Sequence, residues 1–215
     1  MTKDSRALII VDLQYDFLPG GALAVPKSNE ITSTIMDLVT SGDYQYVFLT
    51  QDWHPEQHGS FASTHKAEPF TMGELNGKPQ MLWPDHCVQY TEGAKIFQPL
   101  MDILRTGDIA VEWDIYKKGI NKNIDSYSGF YDNDKQNPTG LSKCLVDEMI
   151  NEIDICGLAT GYCVRFTALD AVQEGFKTRV LLPACRGVAE ESTQKAIKEM
   201  KNAGVEIVEC LAFDE

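Results

Sequence analysis

The chain has 215 residues, 43% of them hydrophobic, and a formal net charge of −13. That length supports one sizeable core, and that charge argues against a nucleic-acid backbone or an anionic membrane surface as partner. The six scattered cysteines include no CxxC pair, which excludes a zinc-finger framework and fits free thiols in a reducing compartment.

Met1–Arg6 is charged and runs straight into the apolar stretch Ala7–Val11. That stretch is too short for a signal sequence or a membrane span, so an intracellular protein is expected. Ala7–Val11 reads as the first buried strand, with Asp12 directly after it. Asn29–Val39 has helical spacing, with Ile31, Ile35, Leu38 and Val39 on one face. Tyr46–Thr50 reads as a second strand, followed by Gln51-Asp52-Trp53-His54. Residues from about 51 to 93 show little periodicity and are rich in Gly, Pro, His and Trp. An ordered loop of that length in a compact domain is expected to cover a site.

Ile109–Ile115 reads as the third strand, followed by Tyr116-Lys117-Lys118-Gly119. A helix is predicted over Leu141–Ile150, then a strand over Ile153–Gly157. Ala159-Thr160-Gly161-Tyr162-Cys163 follows, with Cys163 expected to open a helix over Tyr162–Glu174. A strand over Thr178–Leu182 comes next. A helix over Ser192–Asn202 is then predicted, with Ser192 as its cap and Gly204 past its end. Val205–Val208 is the last strand. Strands and helices that alternate in this way imply an α/β fold with a mostly parallel central sheet between layers of helices. No linker or repeat divides the chain, so residues 1–215 are expected to form one domain.

In such sheets ligands bind beyond the carboxyl ends of the strands. Four predicted strand ends bring Asp12, the Asp52/His54 pair, a lysine and Cys163 to one rim. A thiol at a helix N-terminus is expected to favour the thiolate, the nucleophilic form. Asp12 is the natural base beside it, although a loop aspartate often only caps a turn. A lysine there would pair with Asp12; chemistry alone does not choose between Lys117 and Lys118, and a solvated surface lysine is the ordinary alternative.

Asp52 and His54 share one side of an extended chain and suit zinc foremost, or iron or manganese. All four histidines, His54, His58, His65 and His86, lie in the long loop. His86 is the best third ligand; Cys87 beside it is an alternative. Phe17, Trp83, Tyr127 and Phe130 are aromatic candidates for stacking on a flat ring, with loop packing an equal reading for Tyr127 and Phe130.

Several motifs together resemble the nicotinamidases, a group within the isochorismatase-like cysteine hydrolases. They are Ile10-Val-Asp12-Leu-Gln-Tyr-Asp-Phe17, Thr50-Gln-Asp52-Trp-His54-Pro-Glu-Gln-His58-Gly-Ser60-Phe, Trp83-Pro-Asp-His86-Cys-Val, Lys118-Gly119 with Asp125-Ser-Tyr127-Ser-Gly-Phe130, and Gly157-Leu-Ala-Thr-Gly-Tyr-Cys163-Val. The resemblance implies the isochorismatase-like hydrolase fold, a three-layer sandwich. It implies hydrolysis of nicotinamide to nicotinate and ammonia through a cysteine thioester, within NAD salvage, and a homo-oligomer. It selects Lys118 over Lys117 and makes Asp12, Lys118 and Cys163 the triad. It also implies metal ligands at Asp52, His54 and His86, with water completing the shell and Ser60 near a metal water. His58 and Tyr162 have no clear counterpart role. The oxyanion hole falls on the N–H groups of Ala159 and Cys163, the peptide Leu158–Ala159 is expected to be cis, and Phe17, Trp83 and Tyr127 fall on substrate-binding positions. Three other readings stay open: an amidase for another small amide, a zinc hydrolase using metal-bound water, and a binding protein that keeps the fold.

Overall fold

A computed structural model describes residues 6–211; the reading of Met1–Ser5 as a charged lead-in lies outside them. Six strands form one sheet: β1 (Arg6–Val11), β2 (Tyr46–Asp52), β5 (Glu112–Lys118), β6 (Glu152–Leu158), β7 (Lys177–Arg186) and β8 (Glu206–Val208). Their order is β5-β2-β1-β6-β7-β8, and every neighbouring pair is parallel. Helices α1 (Thr32–Thr40), α2 (Gln98–Thr106), α3 (Leu141–Asp147), α4 (Arg165–Gln173) and α5 (Glu190–Asn202) flank it. β3 (Thr71–Leu75) and β4 (Lys78–Leu82) form a separate antiparallel hairpin.

The central strands are rich in buried apolar residues because both their faces are covered. Ala7 through Val11 and Ile153, Ile155 and Cys156 are fully buried. β1 pairs with β2 on one side and β6 on the other, so the chain winds outward in both directions from β1. The crevice at this reversal point is where a parallel sheet offers a ligand site.

Several predicted elements differ in extent. The helix expected over Asn29–Val39 is a short 3-10 turn, Ser28–Ile31, followed by α1. The third strand lies at Glu112–Lys118 rather than Ile109–Ile115. It is an edge strand with alternate residues exposed, so its apolar content did not mark it. The strand predicted to end at Leu182 runs on to Arg186. α5 begins at Glu190, and Ser192 does not cap it; its hydroxyl donates to the Ala189 carbonyl from inside the first turn. The stretch read as irregular contains the β3–β4 hairpin, and α2 was not predicted. Among the described residues no helix is long and apolar enough to cross a membrane.

One buried charge lies in the sheet itself. Asp154 on β6 is fully buried and accepts from Arg179 Nε at 2.6 Å, Arg179 Nη2 at 2.5 Å and the Tyr44 hydroxyl at 2.6 Å. Removing one member of such a group strands the others without a partner. Asp154→Ala is therefore expected to cost about 3–5 kcal/mol of stability in urea unfolding; a loss below about 1 kcal/mol would show that solvent already screens Arg179.

Candidate active site

The carboxyl ends of four adjacent strands converge. Lys118 is the last residue of β5 and pairs in register with Asp52, the last of β2. Asp12 follows β1. Cys163 follows β6, inside a five-residue π-helical turn, Thr160–Val164, that leads into α4. It does not open a regular α-helix as predicted; the wider turn carries the chain from the strand end into the helix.

Lys118 is 2% exposed and lies at the centre. Its Nζ lies 2.8 Å from Asp12 Oδ2, 3.1 Å from the Ser126 carbonyl and 3.4 Å from Cys163 Sγ. It also donates to Asp52 Oδ1. The contact with Asp12 Oδ2 is a fully buried ion pair. Asp12 Oδ1 instead accepts from the Thr50 hydroxyl at 2.6 Å. Asp12 has a left-handed backbone, φ 49°, and the same Thr50 oxygen accepts from its N–H at 3.2 Å. One threonine on the adjacent strand thus fixes both the main chain and the carboxylate of a strained residue.

Burial pushes the Cys163 thiol well up; Lys118 opposes this, while Asp12 and Asp52 add to it. The expectation of a lowered thiol pKa is corrected accordingly: the resting sulfur keeps its proton and needs a base to lose it. Burial also raises Asp12 despite Lys118, which makes it a better proton acceptor. Burial works against the Lys118 ammonium, but Asp12 and Asp52 outweigh it and hold the group charged.

Asp52, His54 and His86 bring one ligand atom each within 4.8 Å of one another. Asp52 Oδ2 lies 3.7 Å from His54 Nε2 and 3.8 Å from His86 Nε2. The other nitrogens face main-chain carbonyls: His54 Nδ1 is 2.9 Å from Gly119 O and His86 Nδ1 is 2.7 Å from Pro84 O. A carbonyl partner requires Nδ1–H, so in the neutral ring Nε2 is the atom free to ligate, the arrangement a ligating imidazole needs. The donor set therefore fits a divalent metal. Burial and the neighbouring His54 bring His86 down to about 4, so it is neutral near pH 7 and free to ligate. Burial disfavours a charged His54, yet Asp52 more than offsets this and raises it.

Gly119 makes the arrangement possible. Its φ is +66°, and a Cβ there would lie 2.3 Å from His54 Cε1, so only glycine lets the main chain approach the ring. Phe61, fully buried, packs its ring 5.5–5.6 Å from those of His54, His58 and His86.

His58 turns elsewhere. Its Nε2 faces the Asn121 carbonyl at 2.9 Å and its Nδ1 faces Ser60 Oγ at 2.8 Å. It forms a second possible group with His54 and Asp125. His65 bonds the Gly59 carbonyl and joins neither group. Cys87 is fully buried, and burial pushes its thiol well up.

A cavity of about 420 Å³, its open mouth included, joins thiol and histidines. Phe17, Trp83, Tyr127 and Ala159 line it, together with Leu23, Val25, Asp125, Tyr162 and Val188. Tyr162 sets its ring perpendicular to Trp83 at 4.8 Å. Phe130 is not at the rim: it is fully buried and packs against Phe176. The Leu158–Ala159 peptide is cis. Sequence reading also missed Gln14, which clamps the main chain of Asp52: Nε2 donates to its carbonyl and Oε1 accepts its N–H, each at 2.8 Å. The signal was there, an amide three residues past a strand, but nothing in the sequence names its partner.

This is a buried thiol, carboxylate and ammonium on the rim of a parallel sheet, beside a three-donor cluster that could hold a metal ion. The chain belongs to the isochorismatase family, whose Isochorismatase domain matches residues 6–210. It is 44% identical to the nicotinamidase of Escherichia coli over 98% of this chain and 97% of that one. The yeast nicotinamidase bound to the inhibitor nicotinaldehyde superposes with a TM-score of 0.89 at 34% identity, covering 95% and 100% of the two chains. The pyrazinamidase of Pyrococcus horikoshii in complex with zinc gives 0.75 at 33% identity, covering 96% and 99%.

Proposed function

We propose that this chain is an amidohydrolase that converts nicotinamide to nicotinate and ammonia, with Asp12, Lys118 and Cys163 as its catalytic residues. The observation that carries the reading is Lys118 Nζ, 2.8 Å from Asp12 Oδ2 and 3.4 Å from Cys163 Sγ, with Cys163 itself in the wall of a cavity lined by aromatic rings. Near-full-length identity to nicotinamidases supports the substrate.

Asp12 Oδ2 takes the proton of Cys163, and the thiolate attacks the amide carbon. The N–H groups of Ala159 and Cys163 hold the oxyanion that forms. When the C–N bond breaks, Asp12 returns the proton to the departing nitrogen, and ammonia leaves behind a thioester. Asp12 next takes a proton from water, and the hydroxide cleaves the C–S bond. The acid so formed loses its proton to solvent and leaves as nicotinate, and the proton on Asp12 returns to sulfur. Lys118 stays charged throughout and favours the ionised form of Asp12 against the effect of burial. Phe17, Trp83 and Tyr127 hold the ring.

Asp52, His54 and His86 would hold a divalent ion, zinc first by donor chemistry and iron or manganese as alternatives. Bound there, it would supply a Lewis-acid position for the pyridine nitrogen, at the far end of the substrate from the thiol. Residues 1–215 are read as one hydrolase domain, with the loop from about 51 to 93 supplying the ligands. A homo-oligomer in an intracellular setting belongs to the same reading.

The test is product analysis with purified protein: nicotinate and ammonia should form in equal amounts. No product at any metal loading overturns the reading. Chelation is expected to raise the KM for nicotinamide by about tenfold or more, because the ion orients the ring, while the alkylation rate of Cys163 stays the same. An equal loss of alkylation would instead give the ion a part in activating the sulfur.

A further inference from the structure

The β3–β4 hairpin is mostly exposed, yet Gln80 on β4 is 6% exposed and points inward. Its Nε2 donates to Asp125 Oδ2 at 2.8 Å and to the Met81 carbonyl at 2.8 Å, and lies 3.1 Å from the Tyr127 hydroxyl. Trp83 Nε1 donates to the same hydroxyl at 3.1 Å. A carboxylate and a carbonyl only accept, so the end of the amide facing them must be its NH2; a flipped amide would set Oε1 against Asp125. The orientation of Gln80 is thus determined; its two hydrogens face three acceptors, so one is shared between the Met81 carbonyl and the Tyr127 hydroxyl, and that shared contact helps to place the Tyr127 oxygen. Trp83 is tied to that oxygen in turn. Trp83 and Tyr127 line the cavity, whereas Gln80 lies behind them, facing a separate groove of about 1010 Å³.

We propose that Gln80 is a positioning residue: it fixes the Trp83–Tyr127 wall against which the substrate ring binds, so that the hairpin sets affinity without touching substrate. This rests on the amidase reading above. The reacting groups come from β1, β2, β5 and the turn after β6, none of them in the hairpin. The hairpin also has anchors of its own, because Asn76 and Lys78 at its turn bind Asp134 and Leu82 is buried. Losing the Gln80 donor should therefore loosen the wall without releasing the hairpin or disturbing the thiol.

The test is steady-state hydrolysis of nicotinamide by Gln80→Met, which keeps the length and removes the donors. KM is expected to rise about tenfold with kcat within about twofold, the loss of one buried hydrogen-bond relay. Tyr127→Phe removes the shared acceptor and should give the same split. The double variant should be no worse than either single one, because both break one relay. A fall in kcat with KM unchanged, or additive effects in the double variant, overturns the proposal. A readout without substrate stands beside these: exchange of the Trp83 indole N–H, followed by NMR, should quicken about fivefold or more in Gln80→Met. An unchanged exchange rate overturns the proposal by itself. Absence of nicotinamide hydrolysis in the wild type would overturn the functional reading instead, and the exchange rate would still decide the role of Gln80.

Discussion

Cys163→Ala is expected to lower ammonia release from nicotinamide by about 10,000-fold or more, the scale on which removal of a nucleophile acts. The substitution deletes only the sulfur. Lys118 keeps Asp12, Asp52 and the Ser126 carbonyl as partners, so the fold and the charge balance of the cluster should survive. Affinity for nicotinate should survive as well, because the ring walls and metal ligands lie on other elements. Steady-state assay beside calorimetric titration of nicotinate measures the two separately. Turnover persisting within about tenfold of wild type would move the chemistry to metal-bound water and make Cys163 a core residue.

Lys118→Met should be the costliest change to stability within the site. The ammonium separates two buried carboxylates, Asp12 and Asp52, and is itself buried. Without it both would share a dry pocket with no cation between them, and breaking such a group costs about 3–5 kcal/mol. One of the two would then take up a proton in the folded state, and a protonated Asp12 is no base. Activity should therefore fall by at least about 100-fold even in protein that folds. Urea unfolding and ammonia release measure the two effects. A stability loss under about 1 kcal/mol would mean that water reaches the cluster, contrary to the burial of all three groups.

Much of the fold was legible because the central strands are buried on both faces. Ala7–Val11 and Ile153–Gly157 stand out as apolar runs, and the residues that follow them could be assigned to one rim. The edge strand β5 was placed about three residues early, since its alternating exposure gives the apolar window no sharp peak. The hairpin was missed for a related reason: Thr71–Leu75 is largely exposed, so it has no buried face to leave an apolar period. α2 was missed although Leu100, Met101 and Leu104 bury one face; nine residues beside a long irregular stretch make a weak signal.

The histidine cluster was visible as ligand types within one loop. What distinguishes His54 and His86 from His58 is which carbonyl each ring meets, and that depends on long-range contacts such as Gly119 against His54. The π-helical turn at Cys163 was not legible, because one wide turn leaves no period in five residues. Its consequence is chemical: the thiol is buried between carboxylates, so a base has to make it a nucleophile. Thr50, Gln14 and Gln80 were missed because each acts by holding another residue.

The most direct test of the account is to quench the wild-type enzyme in acid during turnover of nicotinamide and map acylation by peptide mass. The account predicts a nicotinoyl group on Cys163 in the quenched sample and none in substrate-free enzyme. Full turnover with Cys163 unmodified at every quench time, together with sustained activity of Cys163→Ala, would contradict it.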